Sequence, residues 1–548
     1  MSRDGVRVGS GVVRHRSGSR RFRRAVGLLL SVAIVVGCSA GVSQPRAQPT
    51  PAAQPAVVQT ANGAVRGVVS PGFRVFDGIP YAAPPAGAMR WQPPHPAAPW
   101  QGVRDATKPG MRCIQDTTFD PDYGRPTSED CLNLNVWSPD GASPSSRKPV
   151  MVWIHGGGFL NGSADIYDAR WMATQGDIVV VTINYRLGAL GFLAHPALSP
   201  DGNVGNYGLA DQQAALRWVR DNIAEFGGDP TKVTIAGESA GAMSVCDHLV
   251  APESAGLFRA AILQSGPCQA QADRATAQRI STNYARNVGC PDPAVVAACL
   301  RSLPTRDVKR APLYVEFGPD KLTGPATGTD RLPADPMTVF AAGHAPQIPV
   351  LIGSNSDEFA MFAAIQYLKN RGLPPYPKLL AGAFGTDAAV VAERYPLDRF
   401  GGSAGLAYSA AVTDSVFACP TDRITSGLAQ TGPVYAYEFN DRTAPAPDPL
   451  RKVPFSVGAS HSLELRYLFD VGGAPPLNPA QRVLSDQMVA YWSQFVKTGN
   501  PEVSGLPLWP QVSDSGTRLS LQTGQLTTTT DFSSRHQCSF WATRGGVR

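Results

Sequence analysis

The chain has 548 residues, 43% hydrophobic and 17% charged, with 55 glycines and 49 prolines. That composition excludes a disordered chain and fits a loop-rich globular protein, either several domains or one large enzyme. Residues 1–37 hold eight arginines against the single acid Asp4, and taking that +7 from the chain's +6 leaves −1 for the rest, so the basic footprint that a nucleic-acid partner requires is absent from the body.

In chain order, the Arg-rich start leads into Ala25 to Gly37, AVGLLLSVAIVVG, an uncharged run too short to span a bilayer. A basic segment, a short apolar segment and small residues at its end predict a signal peptide over residues 1–37. It ends in Val35-Val36-Gly37-Cys38, which resembles the bacterial lipobox, where the Cys becomes the acylated first residue of the mature protein. The alternative is a small Cys in a signal cleaved elsewhere. Arg20-Arg21 and Arg23-Arg24 hint at twin-arginine export, but the residues after them fit that motif poorly, and the route stays open. Residues 38–56, rich in Ser, Ala, Gln and Pro, read as a flexible tether, and residues 57–548 as one folded body without a later transmembrane stretch.

Within that body, Val150 to Ile154, Ile178 to Ile183, Val233 to Ala236, Ala261 to Leu263 and Val350 to Ile352 are short, continuous apolar runs that predict buried strands. Helical spacing over Leu209 to Phe226 and Ala242 to Val250 alternates with them. The expected fold class is therefore α/β, a mostly parallel sheet with helices on both faces, whose site should gather at the carboxyl ends of the strands.

Two such ends carry chemistry. After the first run stands His155-Gly156-Gly157-Gly158-Phe159, a glycine stretch whose bare amides can face a developing negative charge. After Val233 to Ala236 stands Gly237-Glu238-Ser239-Ala240-Gly241, a G-x-S-x-G elbow preceded by a strand and followed by a helix. Ser239 is the expected nucleophile, with the amides of Gly157, Gly158 and Ala240 as the oxyanion hole. The same pattern at Gly401 to Gly405 has no strand before it, so Ser403 is expected in a Gly-rich loop.

A serine needs a His to take its proton and a carboxylate to orient that His. Of the His after Ser239, His248 lies on the elbow helix, His344 precedes the strand that bears the best acid candidates, and His536 sits beside Cys538 near the terminus. His461, in VGASHSLE, remains as the base. At the end of Val350 to Ile352, Asp357 and Glu358 are both candidates for the acid, and the residues alone do not separate them from a solvated loop.

Over nearly all of residues 60–545 the chain resembles the type-B carboxylesterases, a family of the α/β-hydrolase fold that includes the cholinesterases and the non-catalytic neuroligins. The blocks that carry the resemblance include FDGIPYAAPPAGAMRW (76–91), SEDCLNLNVWSP (128–139), HGGGF (155–159), TIAGESAGAMSV (234–245), IGSNSDEF (352–359) and GASHSLELRYLF (458–469). The resemblance implies Glu358 as the triad acid beside Ser239 and His461. It also implies that Glu238, Ser265 and Glu464 share a buried water network near the His. It further implies a small-molecule ester substrate and no cofactor, and nothing in the Cys and His spacing points to a metal. Two positions depart from the family, which usually has Gly where this chain has Phe359 and Ser462, and this puts the loop conformation there in question. The Cys113 to Cys131 loop lacks the Trp that holds choline in cholinesterases, and the stretch Tyr314 to Pro336 is polar rather than lid-like, which argues against a choline esterase and a triacylglycerol lipase.

The resemblance implies the disulfides Cys113–Cys131, Cys290–Cys299 and Cys419–Cys538, which leaves Cys246 to pair with Cys268. Eight paired Cys suit an oxidising compartment. The expectation is thus an exported serine carboxylesterase, held at the membrane only through a lipid on Cys38.

Overall fold

The apolar runs become strands because helices and loops cover both faces of one sheet. In the computed structural model, which describes residues 56–116, 125–199, 204–310, 324–513 and 516–544, this is an 11-stranded sheet. The signal peptide, Cys38, the tether up to residue 55 and much of the Tyr314 to Pro336 stretch lie outside the described residues. The strands are β1 (Val68–Ser70), β2 (Phe73–Pro80), β3 (Asn133–Pro139), β4 (Lys148–Ile154), β5 (Val179–Ile183), β6 (Gly228–Glu238), β7 (Ala260–Gln264), β8 (Val350–Asn355), β9 (Val434–Phe439), β10 (Arg518–Leu521) and β11 (Thr527–Thr529). Side chains alternate between faces, so Val150, Val152 and Ile154 of β4 enter one buried cluster and Met151 and Trp153 the other.

The spatial order is β11-β10-β9-β8-β7-β6-β4-β5-β3-β2-β1. From β10 to β5 every neighbouring pair is parallel, and the pairs outside that range are antiparallel. The chain leaves β4 for β5 on one side and returns to β6 on the other. This is the switch point at which ligands bind in such sheets. There Gly237 stands opposite Ile154, so the glycine run after β4 and the elbow after β6 open side by side.

The strand expected at Val233 to Ala236 begins earlier, at Gly228, with an irregular register before Val233. Strand β9, VYAYEF, was not anticipated. Its Glu438 is fully buried, and its compensating partners Arg535 and His536 are almost a hundred residues away. The helix α1 spans Tyr207–Asn222, and its expected last turn is a separate 3₁₀ turn, Ile223–Phe226, ended by Gly227 at φ +88°. The helix α2 follows the elbow at Ala240–Val250. The other elbow-like pattern is not wholly loop: Gly401 and Gly402 turn the chain, and Ser403 caps the helix α3 (Ala404–Val412) by accepting from the Leu406 amide at 3.3 Å. A Ser with a free hydroxyl before a helix is a good N-cap, which outweighs the glycines beside it.

Four disulfides join Cys113 to Cys131, Cys246 to Cys268, Cys290 to Cys299 and Cys419 to Cys538, a set that fits an exported protein. Among the described residues no helix is long and apolar enough to cross a membrane.

Candidate active site

The elbow is built by what cannot fit around it. A Cβ on Gly237 would lie 2.4 Å from the Gly241 backbone, one on Gly241 1.9 Å from the Ile154 carbonyl oxygen, and one on Gly156 2.6 Å from Glu238 Oε2. With that close packing the turn places Ser239 at φ 56°, ψ −121°, a strained conformation for a serine. Its amide donates to the Gln264 carbonyl at 2.9 Å, and its side chain remains partly exposed.

Gly157 and Gly158 take φ +98° and +62°, and the amides of Leu160 and Asn161 donate back to the Gly157 carbonyl at 3.0 and 3.1 Å. Among the described residues the amides of Gly157 and Gly158 have no protein acceptor, and Ala240, first in α2, has an amide with no acceptor within the helix. His155 supports this loop as a neutral ring. Burial lowers its pKa to about 4, its Nδ1 donates to the Gly156 carbonyl at 2.8 Å, and it stacks on Tyr185, whose hydroxyl bonds the His155 carbonyl.

The two acid candidates are placed differently. Glu358 is fully buried and accepts from His461 Nδ1 at 2.6 Å and from the Asn355 amide at 2.8 Å. Asp357 faces outward to Arg442 and takes the Ala459 amide, which ties its loop to the one that bears His461. The other imidazole nitrogen, Nε2, lies 3.1 Å from Glu238 Oε1. No hydrogen bond joins His461 to Ser239 Oγ, although catalytic contacts often tighten only with substrate bound. Burial opposes the imidazolium of His461, yet Glu238 and Glu358 together raise its pKa to about 9.

Glu464 is fully buried and receives Gln264 Nε2 at 3.2 Å and Asn355 Nδ2 at 2.6 Å; burial and the nearby Glu238 and Glu358 raise its pKa to about 8. Ser265, at the end of β7, has its hydroxyl buried and unbonded, so no direct bond joins it to Glu238 or Glu464. Of the two departures, Phe359 needs no glycine, since its φ is −78° and its amide donates to Thr413 Oγ1. Ser462 stands at φ +65° and donates from Oγ to Glu238 Oε1 at 2.6 Å.

Several partners escaped sequence reasoning. Asn355 and Gln264 hold Glu464, Trp492 holds Gln264, and the rings of Phe362 and Phe417 lie 5.1 and 5.2 Å from that of His461. The polar residues at strand ends, Gln264 and Asn355, were a usable signal; the aromatic contacts carried none. Among the other His, His248 is bonded to Ser254 and Gln212, burial lowers its pKa to about 3, and His344 is exposed. Among the described residues no group of three or more His, Cys, Asp or Glu could hold a metal ion.

Comparison with known proteins identifies the family of this fold. The model of the carboxylesterase family matches residues 54–541. The chain is 33% identical over 499 residues to acylcarnitine hydrolase of Mus musculus, covering 84% of this chain and 86% of that one. It is 34% identical over 486 residues to cocaine esterase of Oryctolagus cuniculus, covering 82% and 89%. A solved structure of a thermophilic PNB esterase, 32% identical, superposes with a TM-score of 0.75 over 88% of this chain and 99% of that one.

Proposed function

The chain belongs to the carboxylesterase family and is a carboxylic ester hydrolase acting on small-molecule esters; from that premise we propose that it works through an acyl-enzyme on Ser239. His461 takes the Ser239 proton as Oγ attacks the ester carbonyl, and the amides of Gly157, Gly158 and Ala240 receive the oxyanion. His461 then protonates the departing alcohol, and a water activated by the same ring releases the acid. Glu358 holds the imidazole by Nδ1 and offsets its charge in the transition state.

The observation that carries this reading is the strained, partly exposed Ser239 at the switch point, packed against the glycine loop whose Gly157 and Gly158 amides have no acceptor, with the His461–Glu358 pair in contact with the neighbouring Glu238. Ser239→Ala should lower kcat for p-nitrophenyl esters by at least about 10³-fold and abolish covalent capture by an organophosphate, while Ser403→Ala, at a helix cap, should leave both intact. Activity retained by Ser239→Ala would falsify the assignment. We further infer that the protein is exported and anchored through acylated Cys38; the four disulfides support export, and the anchor rests on the VVGC junction and on the pairing of the eight other Cys without Cys38.

A further inference from the structure

We propose that Ser462 is a positioning residue: by donating to Glu238 Oε1 it holds that carboxylate against Nε2 of His461 and thereby sets the pH at which His461 becomes a base. The proposal rests on the reading of His461 as the base.

Three observations carry it. Ser462 is held at φ +65°, a conformation open to glycine and unfavourable for serine. What serine has and glycine lacks is its hydroxyl, and that hydroxyl meets Glu238 Oε1 at 2.6 Å, across 224 residues of sequence. The same oxygen lies 3.1 Å from His461 Nε2. On the opposite side Glu238 Oε2 packs toward Gly156, where any Cβ would lie 2.6 Å from it. Among the described residues Ser462 is the side chain that hydrogen-bonds it, and His461 faces it as a charge partner.

Hydroxyl donation favours the ionised form of a carboxylate, and an ionised carboxylate at Nε2 favours the imidazolium. The other titratable groups facing the pair are Glu358 on Nδ1, Glu464 behind it, and the phenols of Tyr167, Tyr185 and Tyr437, which burial keeps neutral. None of them touches the Ser462 hydroxyl. Removing that hydroxyl therefore makes Glu238 easier to protonate and lets His461 give up its proton at lower pH. It also frees Nε2 to face Ser239, for which Glu238 competes.

The test is kcat/KM against pH for the wild type, Ser462→Gly and Ser462→Ala, each alone and combined with Glu238→Gln, with organophosphate capture of Ser239 measured in every variant. The rising limb should move down by on the order of one pH unit in both single Ser462 variants. It should not move further when either is added to Glu238→Gln. Ser462→Gly should melt no lower than the wild type because glycine relieves the backbone, whereas Ser462→Ala keeps the strain. A purely structural role would change melting and leave the limb in place. Variants that capture the organophosphate but keep the wild-type limb overturn the proposal alone, as does an equal further shift in the Glu238→Gln background. Failure of wild-type Ser239 to be captured overturns the underlying mechanism instead.

Discussion

Between Glu358 on Nδ1 and Glu238 on Nε2, the imidazole of His461 keeps its proton well past neutrality, and a protonated imidazole cannot accept one from Ser239. An isolated histidine would titrate near 6.5, but this one is raised to about 9 because two carboxylates outweigh its burial. The sign follows: activity is lost as pH falls and gained as pH rises through the raised pKa. The limb of kcat/KM should have its midpoint above 6.5, in the window up to about 9. A profile already flat at pH 6.5, with chemistry limiting, would show that the carboxylates do not act on this ring.

At the scale of the element, the elbow depends on β6, α2 and β4 approaching more closely than side chains allow. Gly241→Ala would drive a Cβ to 1.9 Å from the Ile154 carbonyl, a backbone atom that cannot rotate away. The expected cost is about 1–3 kcal/mol in stability, with a larger loss in kcat because Ala240 and the glycine run would shift together; urea denaturation and steady-state kinetics measure the two. The C-terminal segment behaves differently. His536 bonds Asp414 at 2.5 Å and Glu438 at 2.8 Å beneath the Cys419–Cys538 link, and although burial opposes its charge, these two carboxylates raise its pKa to about 9. Its folded pKa exceeds the unfolded value, so its stabilisation is complete below about pH 6.5 and is lost as pH rises through 9. His536→Gln should therefore destabilise by about 3–5 kcal/mol at pH 6, less at pH 9.5, and leave the pH limb of catalysis unmoved. A displaced limb would tie this cluster to the active site.

For the whole molecule, charge and cysteines argue together. The positive surplus resides in residues 1–37, and the eight Cys of the body are joined in four disulfides, which leaves Cys38 apart from them. If Cys38 is acylated, the enzyme should pellet with membranes and partition into detergent, and Cys38→Ser should release active enzyme with unchanged kcat or leave it unprocessed. One acyl chain anchors only marginally, so stable attachment requires more than one. An unmodified mature N-terminus beyond Cys38, seen by mass spectrometry, would remove the anchor.

The α/β class, the elbow and the glycine loop were legible in the sequence because each depends on short-range packing: an apolar run flanked by glycines has few backbone solutions. Elimination among a few His singled out His461, the residue proposed as the base. Residue type did not separate Glu358 from Asp357, since both follow the same strand, and only the family resemblance favoured Glu358; the turn of the loop buries that carboxylate against His461 and sends the other to Arg442. Strand β9 was hidden by Glu438, whose compensating cations come from the far end of the chain. The contact between Ser462 and Glu238 joins loops 224 residues apart. Such pairings depend on which strand ends the fold brings together, and a local pattern carries no record of that, so the tertiary structure alone decided them.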